Sequence, residues 1–434
     1  MSTQKHSNNE NLFRRFLNIL GPGLITGAAD DDPSGIATYS QTGAQFGYGQ
    51  LWIAVFTLPL MTAIQEACAR IGLVTGKGIV AVVKERYGMK MTIGVVLLVL
   101  VANTINFGAD IGAMAAAAQL VAPVSFVVAT LGFTTIILVL EIFTSYRVYA
   151  KILKWLALSL LSYVVTVFIV NEPWLTLLRA TFVPHIEFNF AFLFIITGVI
   201  GTTISPYMFI WEASEEVEDA RERHLLRGGK RPKLGWSDIR RMRLDNFIGM
   251  LSSNVVSWCI IVTTATVLHG NGITNIATSA DAAKAIEPLV HTFPHAGYVA
   301  KVIFAVGVIG LGLLAVPVLS GSASYAVAEA FNWRASLAYK LNRAHGFYGV
   351  ITIATLVGLL INFVGIDPIK ALIVTAVING VVAVPLIFLV ARIADNSEIM
   401  GEYKSGRLSN IFLWITFLFV GAASIGMFAT YFTK

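Results

Sequence analysis

Three consecutive aspartates interrupt a segment that is otherwise apolar enough to enter a lipid bilayer. The segment from Gly21 to Gly43 reads GPGLITGAADDDPSGIATYSQTG, and Asp30, Asp31 and Asp32 directly precede Pro33. A proline removes a backbone donor and clashes with the preceding turn, so we expect the helix to break here. A charge at membrane depth costs about 2.5 to 3.5 kcal/mol on insertion scales. The aspartates therefore predict a cation site, the alternative being a loop between two short helices with its acids in water.

The composition indicates a polytopic membrane protein. Of the 434 residues, 56% are hydrophobic and only 13% are charged, whereas soluble domains carry about 25% charged residues. We therefore expect an all-α polytopic membrane protein made of one transmembrane transporter domain over residues 1–434. Stretches long enough to cross a bilayer are predicted at eleven places: 16–46, 50–74, 91–121, 124–144, 150–170, 189–217, 243–268, 297–328, 347–365, 369–391 and 411–432.

The basic residues predict the orientation. Loops on the cytoplasmic side of membrane proteins carry an excess of Lys and Arg. With a cytoplasmic N-terminus, every Lys and Arg falls on an inner segment except five, which are Arg179, Lys284, Lys301, Lys370 and Lys434. We therefore expect a multi-pass protein of the cell membrane, and interpret the basic run at 221–243 as a topology signal. The largest outer segment, 271–297, is expected to form a short surface helix.

The sixth stretch repeats the pattern of the first. It reads FLFIITGVIGTTISPYMFIWEASEEVED, with Thr202, Ser205 and Pro206 at mid-depth. Two breaks that lie five helices apart are typical of two inverted five-helix repeats, in which the half-helices meet at the bilayer midplane around an ion. We predict repeat one at about 16–170, repeat two at about 189–391 and an extra helix at about 411–432. The alternative is an accidental proline kink supported by nearby hydroxyl side chains.

The sequence resembles the Nramp divalent-metal transporters in four segments: GPGLITGAADDDPSGIATYSQTGAQFGYGQLW, QEACARIGLVTGKGI, GTTISP and GLGLLAVPVLSGSASYAVAE. The resemblance implies a leucine-transporter-like fold of eleven or twelve helices, import of metal ions and, in most members, coupling to protons. In that family the metal site is built from an Asp-Pro-Gly-Asn break in the first helix and a Met-Pro-His break in the sixth.

In the first helix the resemblance places Asp32 on the family's metal-binding aspartate and Pro33 on its proline. Ser34 then stands where glycine is usual, and Gly35 stands where the liganding asparagine would be. The backbone carbonyl that joins the site from this helix would be that of Ala29.

In the sixth helix Ser205 replaces the liganding methionine, Pro206 matches the family's proline, and Tyr207 replaces histidine. The carbonyl of Thr202 would join the site. Glu212 stands where the family carries a second histidine, and we expect it to line the inner exit path. Two of the three side-chain ligands of the family are thus absent.

The third stretch also departs from the family. The positions of the carboxylates that pass protons inward are occupied by Asn106 and Ala109, neither of which titrates. Asn103, Asn106 and Asp110 share one helical face instead, because their spacings are three and four. In the tenth stretch, Thr375 and Asn379 share a face and could offer a further oxygen.

The missing thioether changes the expected cargo. With Ser205 in its place only oxygen donors remain, and oxygen ligands suit Mg²⁺, Ca²⁺ and Mn²⁺. The loss of the asparagine at Gly35 opens space for a partly hydrated ion, which Asp30 and Asp31 could hold through water. These two acids could equally form a solvated acidic rim. The pattern is similar to that of the Nramp-related magnesium transporters.

We therefore predict a secondary transporter or facilitator that imports divalent metal ions, Mg²⁺ before Mn²⁺, by alternating access and without obligatory proton coupling. The alternatives are a proton-coupled Mn²⁺/Fe²⁺ symporter of the Nramp type, a sodium-coupled amino-acid transporter and a channel. No HExxH or GxSxG motif occurs, so no enzymatic activity is expected. No cofactor, nucleic acid or obligatory protein partner is implied. The expected partners are the divalent metal ion, as the substrate, and the lipid bilayer that surrounds the protein.

Overall fold

The computed structural model describes residues 26–27, 29–144, 160–170, 173–226, 232–337 and 339–432. Within these ranges the regular structure is helical and no strand occurs. The α-helices are α1 (Pro33–Phe46), α2 (Trp52–Thr75), α3 (Ile79–Val121), α4 (Phe126–Phe143), α5 (Leu161–Ile169), α6 (Trp174–Phe182), α7 (Phe190–Thr203), α8 (Pro206–Glu222), α9 (Trp236–Val267), α10 (Ser279–Ala283), α11 (Ala296–Phe331), α12 (His345–Ile361), α13 (Pro368–Ala394), α14 (Ser397–Met400) and α15 (Arg407–Phe432).

Each of the eleven predicted stretches coincides with a helix. Among the described residues, eight continuous spans are long and apolar enough to cross a bilayer, and α7 and α8 together make one of them. The helix α12 is apolar but shorter. Residues 16–25 of the first stretch and 150–159 of the fifth lie outside the described residues, and α1 and α5 are what the structure describes of those two. The predicted surface helix at 271–297 is confirmed by α10 and the 3₁₀ helix Lys284–Val290 that follows it.

The distribution of side chains is that of a protein surrounded by lipid. Large apolar residues point outward along the helices, for example Leu97 and Val101 of α3, each 54% exposed, and Leu418 of α15, 64% exposed. Aspartates, asparagines and hydroxyl residues are instead buried between the helices. A soluble protein with this much exposed apolar surface would aggregate, so the arrangement supports the predicted membrane class.

Both predicted helix breaks are present. Asp32 has extended backbone angles (φ −65°, ψ 172°), and α1 begins with Pro33 directly after it. Ser205 is likewise extended (φ −81°, ψ 135°), and α8 begins with Pro206. Proline is favoured at the first position of a helix because its missing N–H would have no partner there. In each segment the proline therefore starts the second half-helix instead of kinking a continuous one.

An additional short helical segment precedes the third crossing. Gly88 inside α3 has a backbone that is not helical (φ 80°, ψ 175°), so residues 79–87 and 89–121 form two helices joined at a kink, and the predicted crossing from residue 91 lies within the second. The missed part carries Lys84, Glu85 and Arg86, so it lacks the apolar pattern on which the prediction rested. These residues need no apolar surroundings, because they lie at one end of the helix bundle.

We call this end the basic end, because Lys77, Arg86, Arg221 and Arg334 meet there around two open cavities. The opposite end carries Lys284 and His291 of the predicted outer segment. The predicted inner segments thus lie at one end of the bundle and the predicted outer segment lies at the other, as expected when successive crossings run in opposite directions.

Small residues set how closely the broken helices approach their neighbours. A Cβ atom at Gly201 of α7 would lie 2.0 Å from the carbonyl oxygen of Ala376 in α13, and one at Gly43 of α1 would lie 2.3 Å from the carbonyl oxygen of Ile261 in α9. Glycine lets helix backbones approach this closely inside membranes. The half-helix α1, which follows the first break, is thus fixed against α9. The half-helix α7, which precedes the second break, is fixed against α13.

Candidate metal centre

The two helix breaks face each other. The Tyr207 hydroxyl, at the start of α8, lies 3.3 Å from the carbonyl oxygen of Ala29 and 3.4 Å from Oδ2 of Asp32. On the other side, the hydroxyls of Ser34 and Thr202 lie 3.4 Å apart. Both halves of the predicted centre therefore converge at one place, as the resemblance implied for these residues.

Asp32 is the best-connected group of the centre. Its Oδ1 accepts hydrogen bonds from the Ser34 hydroxyl (2.6 Å) and the Gly35 N–H (2.8 Å), which cap the start of α1. Its Oδ2 accepts from the Asn106 amide at 3.2 Å, besides the contact with Tyr207. The side chain is only 1% exposed. All these donors are neutral, so they orient the carboxylate without balancing its charge.

Asp30 and Asp31 point to a different neighbour. Both lie against the Ser253 hydroxyl of α9, at 2.6 Å from Oδ2 of Asp30 and 3.2 Å from Oδ1 of Asp31. They are 0% and 3% exposed, so the alternative of a solvated acidic rim is wrong for this conformation. Oδ1 of Asp30 has no hydrogen-bond partner among the described residues.

No basic side chain among the described residues balances these acids. In the described ranges, every ion pair that involves Lys or Arg lies elsewhere, and none includes Asp30, Asp31 or Asp32. No group of three His, Cys, Asp or Glu side chains forms a ready metal cage there either. A cation at the centre would therefore be held by one or two carboxylates together with neutral oxygens and water, which suits hard divalent ions.

The Ser205 hydroxyl is oriented by its own helix. It donates toward the carbonyl oxygens of Gly201 (2.8 Å) and Thr202 (2.7 Å). The oxygen lone pairs of Ser205 stay available, and each carbonyl retains a second lone pair. The geometry leaves oxygen lone pairs of both residues free; their role as ligands stays a prediction.

The space expected at Gly35 is already filled. A Cβ atom there would lie 3.2 Å from the Thr202 hydroxyl oxygen and 3.3 Å from the Tyr39 ring. Tyr39 is itself held by a 3.0 Å hydrogen bond to Thr203. The prediction of free volume for a hydrated ion at this position is therefore wrong, because side chains from both breaks occupy it.

The three polar residues of α3 do not act alike. Asn106 reaches Asp32, but Asn103 donates to the Leu319 carbonyl of α11 at 3.0 Å and so joins two helices. Neither carboxylate oxygen of Asp110 has a partner among the described residues. Of the three residues on this face of α3, Asn106 is the one that contacts Asp32.

The remaining predicted pathway residues make no contact with Asp32. Thr375 donates to the Leu372 carbonyl within α13, and the buried Asn379 amide has no partner in the described part of the chain. Glu212 accepts hydrogen bonds from Thr26 and, at 3.3 Å, from Asn246 of α9. Glu212 thus connects the segment before the first break to α8 and α9, on the side of the centre toward the basic end.

Two further neighbours of the centre, Ser253 and Tyr39, are not among the predicted site residues. Ser253 lies in the run SSN of the seventh stretch, a polar interruption that could have been noticed. Tyr39 has no such signal, because a tyrosine on a helix is compatible with ordinary packing.

The chain matches known proteins over nearly its whole length. Residues 23–430 match the Nramp family, described as natural resistance-associated macrophage protein-like. The divalent metal cation transporter MntH of Ralstonia nicotianae is 25% identical over 427 residues, which cover 95% of this chain and 91% of that protein. The MntH of Klebsiella pneumoniae strain 342 is 24% identical over 409 residues, or 92% and 91% of the two chains.

Solved structures share the fold. The Eremococcus coleocola manganese transporter, in complex with an aromatic bis-isothiourea compound, superposes with a TM-score of 0.72 at 16% identity, covering 98% of this chain and 88% of that one. MhsT in complex with L-phenylalanine superposes with a TM-score of 0.60 at 10% identity, covering 94% and 97%. The predicted leucine-transporter-like fold class is thereby confirmed.

Proposed function

Because the chain belongs to the Nramp family, we propose that it carries divalent metal cations across a membrane and binds them at Asp32, between its two helix breaks. The observation that supports this most directly is the buried Asp32 carboxylate, which has four neutral donors and no basic partner in the described ranges. A buried charge of this kind is stable only with a counter-ion or a proton.

The other ligands would be neutral oxygens. Ser34, Gly35 and the Ala29 carbonyl shape the Asp32 side, and the Thr202 carbonyl with the Ser205 hydroxyl shapes the facing side. Tyr207 lies between the two. Asp31 would act from the Ser253 side, through water. Such a site binds an ion without a thioether, which is the donor that favours soft metals.

The cargo follows from the relatives and the donors together. The curated relatives are named divalent metal cation transporters and one structural neighbour is a manganese transporter. These names support Mn²⁺ as the first cargo over the Mg²⁺ that the sequence pattern favoured. Mg²⁺ remains the second candidate, because the centre offers only oxygen donors and Mg²⁺ needs few carboxylates.

The basic end would face the cytoplasm, following the positive-inside rule. The N-terminus would then be cytoplasmic and the short helix α10 external. Inward movement of the ion would proceed from α10 past Asp32 toward Glu212.

The test is uptake into liposomes that contain the purified protein, with Mn²⁺, Mg²⁺ and Ca²⁺ compared side by side. We expect uptake of Mn²⁺ and its loss by at least tenfold in Asp32→Asn, which keeps the shape of the side chain and removes its charge. Asp395→Asn, at an exposed aspartate directly after α13, is the matched control and should leave uptake within twofold. Normal Mn²⁺ and Mg²⁺ uptake by Asp32→Asn would exclude the site.

A further inference from the structure

Asp110 is a buried carboxylate for which the described residues provide no partner. It lies in α3 and is 0% exposed, and neither Oδ1 nor Oδ2 accepts a hydrogen bond from any described residue. No Lys or Arg of the described part of the chain pairs with it. Buried polar groups in proteins are nearly always satisfied, so a carboxylate with two free oxygens needs an explanation.

Its neighbours on α3 fix the direction in which it points. Residues four apart on a helix lie one above the other on the same face. One turn before Asp110, Asn106 donates to Oδ2 of Asp32 at 3.2 Å. One turn after it, Met114 packs at the first break: a Cβ atom at Gly312 of α11 would lie 2.5 Å from the Met114 sulfur and 3.5 Å from Cγ of Pro33.

Asp110 therefore lies between a residue that touches Asp32 and a residue that borders Pro33. Its carboxylate is within electrostatic range of Asp32. Tyr207, which contacts Asp32, is within electrostatic range of both Asp32 and Asp110. Oδ1 of Asn106, which lies one turn before Asp110, is also without a partner among the described residues.

We propose that Asp110 is the second carboxylate of the cation site, and that Asp32 and Asp110 together bind one divalent ion. This rests on the proposed function and adds to it a residue from α3. Two carboxylates balance a divalent charge, and the ion removes the cost of burying both acids. Mg²⁺ and Mn²⁺ both accept such oxygen donors, directly or through a retained water.

The ion also accounts for the amide between the acids. Asn106 donates to Asp32; rotation of the amide by 180° would present its oxygen to the ion. Asp32, Asn106 and Asp110 then offer three side-chain oxygens from the first break and α3, while Ser205 and the Thr202 carbonyl approach from the second break. The site becomes complete only when α3 lies against both breaks.

The test measures metal binding to the purified full-length protein by calorimetry and by the rise of its melting temperature with Mn²⁺. In Asp110→Asn we expect the Kd for Mn²⁺ to increase at least tenfold. We also expect the melting temperature without metal to rise, because an unpaired buried charge is gone, and the metal-induced increase to shrink. A merely structural role would lower the melting temperature without metal.

Glu141→Gln is the matched control. Glu141 is also buried, carries one oxygen without a partner among the described residues and accepts a hydrogen bond from Ser320 instead of contacting Asp32. Its Kd for Mn²⁺ should stay within twofold of the native value. Anomalous scattering from Mn²⁺-soaked crystals should place the ion next to oxygens of both Asp32 and Asp110.

Two outcomes would overturn the proposal. A native Kd in Asp110→Asn, with the ion bound by Asp32 alone, would leave metal transport intact and remove Asp110 from the site. Unchanged binding with loss of metal-driven proton movement would make Asp110 a proton carrier instead. Absence of metal binding in the native protein and in all variants would contradict the proposed function itself.

Discussion

At the scale of single residues, the centre depends on groups that carry charge or lone pairs without a matching partner. Asp32 has four neutral donors, and Ser205 has its hydroxyl proton engaged by its own helix while its oxygen remains free. A neutral hydroxyl binds hard ions through oxygen, whereas a thioether in its place would favour softer ones. The identity of residue 205 is therefore expected to influence selectivity more than affinity.

Ser205→Met should shift the preference toward Cd²⁺, because it adds a soft donor beside Asp32. We expect the ratio of Cd²⁺ to Mg²⁺ uptake in proteoliposomes to rise at least tenfold. Ser214→Met, on the same helix α8 but toward the basic end, controls for the added side chain. If Ser205→Met keeps the native ratio, selectivity is decided by other ligands.

Gly35→Asn, which would restore the family's asparagine, would also disturb the packing of the centre. Its Cβ would lie 3.2 Å from the Thr202 hydroxyl oxygen and 3.3 Å from the Tyr39 ring. The sequence could indicate that an asparagine was absent, but it could not show what fills the space. That information depends on the packing of α1 against α7, which no local pattern encodes.

At the scale of helices, both breaks were predictable and their surroundings were not. Pro33 and Pro206 impose the breaks locally, so their positions follow from the sequence. The position at which α3 begins does not follow from the local sequence, because its first turn is capped by Glu329 of α11, which lies 248 residues after Ala81. Glu329 accepts a 3.0 Å hydrogen bond from the Ala81 N–H, and a Cβ at Gly78 would collide with it.

The half-helix α8 is fastened to α11 at the basic end. Glu218 accepts hydrogen bonds from the hydroxyls of Tyr325 (2.7 Å) and Ser336 (2.8 Å). Nearer the centre, the Ser322 hydroxyl donates to the Tyr207 carbonyl at 2.8 Å. We expect these contacts to close the path between Asp32 and the basic end, so that access from that end requires their separation.

Glu218→Ala should loosen this closure. Hydrogen bonds to a charged group contribute about 1.5 to 3 kcal/mol each, so we expect the amides of 206–222 and 325–337 to exchange hydrogen at least tenfold faster. Hydrogen–deuterium exchange with mass spectrometry measures this directly. The matched control is Glu222→Ala, an exposed glutamate at the end of the same helix. Unchanged exchange in 325–337 would show that Glu218 does not hold α11.

At the scale of the whole molecule, apolar side chains face outward and polar ones meet inside. The crossings could be predicted because each must present about 20 apolar residues to lipid. The partners of the buried acids could not, since Ser253, Asn106 and Tyr207 reach the first break from three other helices. Length and composition therefore predict the membrane class, and only the packed structure assigns each acid its neighbours.

Coupling to protons is a property of the whole transport path. The positions that carry proton-passing acids in the family are occupied here by Asn106 and Ala109, and Asp110 is assigned above to the metal. The membrane potential supplies about 2.3 kcal/mol per charge per 100 mV, and about twice that for a divalent ion. This is enough to drive inward movement without a second ion.

We therefore expect metal uptake without matching proton entry. A pH-sensitive dye trapped in proteoliposomes should report no internal acidification when Mn²⁺ or Mg²⁺ enters under an imposed potential, while a metal-sensitive dye reports the flux. The rate should increase with the potential and change less than twofold when the external pH is lowered from 7.5 to 6.5. Acidification that is proportional to metal flux would establish the proton-coupled alternative. If Glu141→Gln then removed the acidification and left the metal flux, the proton would travel through the buried Glu141–Ser320 pair between α4 and α11, a route separate from Asp110 and the metal.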